Sequence, residues 1–102
     1  MKWYCSLLLG FLYVANDVIQ REKRKGGDFA RDFLPMLPSA IEHILGHVDD
    51  ENIHRTVKRI IQIWSERDIY QADAIKLLKN SYEHGVRRLT MNRTGLLDEF
   101  LF

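Results

Sequence analysis

The sequence predicts an all-α fold, and three observations carry that prediction. Two prolines and six glycines in 102 residues leave long stretches without a strong breaker. In several of those stretches apolar residues recur at i, i+3, i+4 and i+7, the spacing of one helix face. Nowhere do apolar and polar residues alternate as a half-buried strand requires. An apolar share of 46% is enough for a core, and the length implies one compact domain.

The first helix is expected from about Trp3 to Gln20. The opening Met1-Lys2 and the apolar run from Trp3 to Ala15 have the outline of a secretory signal. That run is shorter than the ~20 residues needed to cross a bilayer. Cleavage after Ala15 would place the bulky Tyr13 where a small side chain is wanted. Leu8, Leu12, Ala15 and Ile19 continue the helical spacing through the supposed cleavage point, so the segment reads as part of the fold. Gly26-Gly27 then stops the helix. Asp28 is placed to cap a short helix from Phe29 to Leu34, with Phe29, Phe33 and Leu34 on its apolar side.

Pro35 and Pro38 punctuate the next stretch, because proline lacks the amide donor of a helix interior. Ser39 and Glu42 fit a capping box, which predicts a third helix from Ser39 to Val48. Asp49 to Asn52 read as a solvated loop able to cap the next helix, expected over Ile53–Arg67. There Val57, Ile60, Ile61 and Trp64 form the core face. A fifth helix from Ala72 to about Tyr82 would bury Ile75, Leu77, Leu78 and Tyr82. Beyond it, Asn92 to Gly95 should turn, and Leu96 to Phe102 are apolar but short. The expectation is five to six helices.

Charge and motifs exclude several function classes. Fifteen basic against 14 acidic residues give a net charge of +1, far from the excess a general nucleic-acid binder draws on. The lone Cys5 cannot form an internal disulfide. His43 and His47 stand at i, i+4, but no third ligand sits at a defined spacing, so no metal is expected. Phosphate-loop, nucleophile-elbow and His-Glu-x-x-His patterns are absent, and no catalytic residue or cofactor is assigned. Asn92-Arg93-Thr94 matches a glycosylation acceptor by chance composition, and Lys23-Arg24-Lys25 reads as a linker, a nuclear address or a phosphate contact.

Two stripes stand out. Tyr13, Asn16, Asp17 and Gln20 lie on one face of an otherwise apolar helix, where polar groups need solvent, a network or a ligand. Arg59, Ile63 and Arg67 follow i, i+4, i+8 along one edge of the fourth helix. Two guanidinium groups flanking an apolar contact suit a phosphorylated peptide, whereas the ordinary alternative is solvated arginines paired with Glu66 or Asp68.

The string Phe11-Leu12-Tyr13-Val14-Ala15-Asn16-Asp17-Val18-Ile19-Gln20, then Lys23-Arg24-Lys25-Gly26, then Arg59 to Arg67 with Tyr70, resembles the CTD-interacting domain. The likeness spans about Leu8 to Tyr82 and is to regulators of nuclear pre-mRNA and termination factors. It implies a partial right-handed α-superhelix, related to VHS adaptor domains, over residues 1–82, with 83–102 as an unmatched tail. It also implies a nuclear, non-catalytic protein. The expected ligand is the heptad tail of the largest RNA polymerase II subunit, phosphorylated at the second-position serine. By resemblance, Tyr13, Asn16, Asp17, Val18 and Ile63 would hold the peptide, and Arg59 and Arg67 the phosphate.

The chain also departs from that family. Three family helices would precede Leu7, where Met1 to Ser6 stand instead, and Pro35 and Pro38 interrupt a segment that is smoother in many members. The side of the first helix carrying Leu7, Leu8, Phe11 and Leu12 is therefore expected to lie open and to favour self-association. Two rival readings remain, neither implying membrane insertion. A VHS-type trafficking adaptor would bind sorting peptides without phosphate. A helical domain making weak RNA contact through Lys23, Arg24 and Lys25 would show a steep salt dependence.

Overall fold

In the computed structural model, residues 2–21 and 28–94 are described, with side chains for 5–21 and 29–91. Among these the all-α expectation holds, with no strand and five α-helices joined by one 3-10 turn. Their bounds are α1 Lys2–Arg21, α2 Asp28–Phe33, the 3-10 turn Leu34–Met36, α3 Leu37–His47, α4 Glu51–Glu66 and α5 Ala72–Thr94. The readings of Lys23-Arg24-Lys25, of Gly26-Gly27, of the Asp28 side-chain cap and of Leu96–Phe102 lie outside the described residues.

The core is built where helical spacing places it. Leu12, Ala15 and Ile19 of α1 pack with Ile41, Ile44 and Leu45 of α3, and Val57, Ile60, Ile61 and Trp64 of α4 close over them. Complete burial of one such aliphatic side chain contributes about 1.5–3 kcal/mol. Phe11 meets Phe33 edge-on at 5.7 Å, which fixes α2 against α1. Tyr70, after α4, donates its hydroxyl to the Ala30 carbonyl at 2.5 Å and stands edge-on to Trp64 at 5.4 Å. Burial pushes the Tyr70 phenol well above its ordinary range.

Four local expectations are corrected. The third helix begins at Leu37, two residues before Ser39. Pro38 is in its first turn, where a missing N–H costs no helical bond. The 3-10 turn containing Pro35 leads straight in, so Ser39 is inside the helix and the Ser39/Glu42 capping box does not form. At α4 the loop does supply the cap: Asp50 Oδ1 accepts from the Asn52 N–H at 2.9 Å, and Glu51 and Asn52 join the helix.

The third correction concerns α5, which runs on past Tyr82 to Thr94 and so includes Asn92, Arg93 and Thr94, positions expected to turn. Leu77 is 48% exposed, because the buried line is Ile75, Leu78, Ser81, Gly85 and Leu89. Gly85 does not break the helix, since α3 occupies the space its side chain would fill. A Cβ there would lie 2.6 Å from Leu45 Cβ and 2.7 Å from the Glu42 carbonyl oxygen. The fourth is the face expected to be open. Leu12 is fully buried, Leu8 and Phe11 pack partly against the core, and Leu7 alone of that set is largely exposed, at 61%.

Candidate functional site

The two stripes legible in the sequence come together at a seam between α1 and α4, where Gln20 of the first meets Arg67 of the second. With Leu12, Ala15 and Ile19 inward, Tyr13 and Asp17 reach solvent and Asn16 and Gln20 are half-buried at its edge. Val18, also half-buried, lies instead on the other flank of α1, about 160° round the helix from Asn16. On α4 the inward face leaves Arg59 and Arg67 exposed, with Ile63 half-buried between them. At 1.5 Å per residue the two arginines are about 12 Å apart along the helix, the reach of roughly four extended residues.

Two hydrogen bonds join the helices. Trp64 Nε1–H donates to Asn16 Oδ1 at 2.8 Å, and Arg67 Nη1 donates to Gln20 Oε1 at 2.8 Å. Gln20 Nε2 also donates to Asn16 Oδ1, at 3.3 Å. Residue 16 thus stands by 64 and residue 20 by 67, so both helices advance together along the seam.

The end of α4 is set by a Schellman motif. Asp68 holds a left-handed backbone, with φ 56°, its N–H reaching Ser65 O at 3.2 Å, and Ile69 N–H reaching Trp64 O at 3.0 Å. This turn fixes the last helical residues beside which Arg67 projects.

The charges are arranged differently from the ordinary pairing expected of surface arginines. Glu66 accepts from Gln62 at 3.0 Å, whereas Arg67 donates to the neutral amide of Gln20. Arg59 has no ion-pair partner among the described residues. Asp17 pairs with Arg21 on its own helix at 3.1 Å, both side chains being well exposed. Such a pair is readily exchanged for another partner.

Trp64 is the residue whose second role the sequence concealed. Helical spacing assigns it to the core, correctly, since it is fully buried. A buried indole N–H must find an acceptor, so a partner was demanded, but nothing in the sequence points to Asn16.

The histidine pair finds no third ligand among the described residues. His43 and His47 stack at 4.1 Å between ring centroids, and His47 Nδ1 is 2.9 Å from the His43 carbonyl oxygen. No group of three His, Cys, Asp or Glu side chains among the described residues could hold a metal ion. Of the two rings, His43 is half-buried and His47 exposed. His43 also borders a separate groove of about 660 Å³ with Leu8, Phe11, Met36 and Arg88, none of which belongs to the seam.

A family model described as CID domain matches residues 5–78. The chain is 42% identical over 73 residues to regulation of nuclear pre-mRNA domain-containing protein 1A of Mus musculus, covering 72% of this chain and 23% of that protein. It is 44% identical over 75 residues to the 1B protein of Homo sapiens, covering 74% and 23% respectively. Against CID domain-containing protein 1 of Caenorhabditis briggsae it is 30% identical over 76 residues, covering 74% and 24%. The chain therefore spans about a quarter of the length of the curated relatives it matches.

Proposed function

The chain belongs to the CID domain family, and on that premise we propose that it is a non-catalytic binding domain for the phosphorylated heptad tail of RNA polymerase II. Its place would be in nuclear pre-mRNA regulation, the process named in its relatives. The observation that supports the reading is the seam, where Asn16 meets Trp64 and Gln20 meets Arg67, with Tyr13 and Asp17 on the same side of α1 as Asn16 and with Arg59 and Ile63 preceding Arg67 along α4. One strip thus offers exposed aromatic and apolar surface, a carboxylate for peptide N–H groups, and two guanidinium groups for phosphate.

The hydrogen bonds of Asn16 suit it to this part. Its Oδ1 already accepts from Trp64 and Gln20, so its amide N–H groups remain to donate to a peptide carbonyl. Tyr13 packs against the peptide, Ile63 forms the apolar wall, and Arg59 and Arg67 take the serine phosphate. A charge-assisted hydrogen bond contributes about 1.5–3 kcal/mol, so losing one weakens binding by roughly ten- to a hundredfold.

Fluorescence anisotropy with a labelled two-heptad peptide, with and without phosphate on the second-position serine, tests this. The expected result is preference for the phosphopeptide, with a fall of about ten- to a hundredfold for Arg59→Ala. Equal binding of both peptides, or none of either, overturns the reading. Binding to RNA with a steep salt slope in place of the peptide would favour the rival reading.

A further inference from the structure

The seam contains a chain of hydrogen bonds whose direction is dictated from the core outward. Trp64 is fully buried and its indole nitrogen can only donate. Asn16 must therefore present Oδ1 to it, at 2.8 Å. That same oxygen faces Gln20 at 3.3 Å, so Gln20 must turn its amino group inward. Its Oε1 is thereby turned outward, where Arg67 Nη1 meets it at 2.8 Å. Flipping either amide opposes two donors or two acceptors, so one buried N–H orients the whole series.

From this geometry we infer that Gln20 is a positioning residue, holding the Arg67 guanidinium ready for a phosphoserine peptide, with its own orientation set by Trp64 through Asn16. The inference rests on the phosphopeptide reading and adds the device that presents the arginine. Arginine has five N–H donors, and the bond to Gln20 uses one, leaving the others for phosphate oxygens. Gln20 is also uncharged, so it anchors the side chain without neutralising it, which a carboxylate at the same place would do. Fixing a flexible side chain before the ligand arrives removes part of the ordering cost of binding.

The test is a double-substitution cycle in the 102-residue chain, read by anisotropy with the phosphorylated and unphosphorylated two-heptad peptides. Gln20→Leu should weaken the phosphopeptide by roughly two- to tenfold and leave the unphosphorylated peptide unchanged. In an Arg67→Ala background the same change should have no further effect. Gln20→Glu keeps the acceptor but adds a charge, and should lower the preference for phosphate at least as far. Thermal melts of each variant separate these effects from unfolding.

A phosphate preference that Arg67→Ala abolishes but Gln20→Leu preserves overturns this inference alone. So does a Gln20→Leu loss that is equal for both peptides or persists without Arg67. A parent chain with no phosphate preference overturns the underlying reading, and the inference with it.

Discussion

Asn16 and Asp17 are neighbours in sequence and both belong to the proposed peptide site, yet they stand in opposite relations to the fold. Asp17 pairs with Arg21 in an exposed i, i+4 arrangement, which contributes no more than about 0.5 kcal/mol. Asp17→Ala should therefore melt within a degree or two of the parent while losing peptide binding, and anisotropy paired with a circular-dichroism melt checks both halves. Asn16→Ala removes the acceptor of a buried indole N–H, which costs about 1–3 kcal/mol, so here stability and binding should fall together. His43 adds a pH dependence. Burial first, then the neighbouring His47 and Arg88 charges, lower its pKa from the ordinary 6.5. The folded chain thus binds the proton less well than the unfolded chain, and stability is full above pH 6.5 and declines as pH falls below it. His43→Gln should flatten the decline in melting temperature between neutral and mildly acidic pH.

At the scale of elements, the contact between α3 and α5 depends on one missing side chain. A Cβ on Gly85 would be pressed against Leu45 Cβ and the Glu42 carbonyl, neither of which can move without shifting α3. Gly85→Ala should destabilise by about 1–3 kcal/mol despite alanine's better helix propensity. Gly46 on the other helix is different, because its nearest obstacle is Arg88 Cδ at 3.3 Å, on an exposed and flexible side chain. Gly46→Ala should be close to neutral or stabilise by up to about 1 kcal/mol. Melts of the two variants side by side give opposite or clearly unequal shifts if close packing decides. The same contact accounts for a glycine inside α5, since only a residue without a Cβ fits against α3 there.

Across the whole molecule, Trp64 links stability to the proposed function. Its ring fills the centre of the core and its N–H orients the seam. Trp64→Ala should remove about 3–5 kcal/mol, a large fraction of the 5–15 kcal/mol typical of a domain. A cooperative melt equal to the parent's would show that the ring is not in the core. Trp64→Phe separates the two roles: it keeps most of the packing but leaves Asn16 without the donor that orients it. The expected outcome is a folded chain with weakened phosphopeptide binding.

Helix number, the inward faces of α1 and α4, and the two polar stripes were all legible in the sequence. They depend on spacing along a single helix, and a 3.6-residue period leaves its mark locally. The element boundaries that resisted reading were those decided by contacts between distant residues. Leu37 rather than Ser39 opens α3 because a proline in the first turn fits there, and α5 reaches Thr94 because Gly85 lies against α3. The union of the stripes is likewise tertiary. Residues 16 and 64, and 20 and 67, meet only when α1 and α4 share a core. Hydrogen-bond direction then comes from burial: a Trp64 left in water would need nothing from Asn16, whereas a buried one orders every amide out to Arg67.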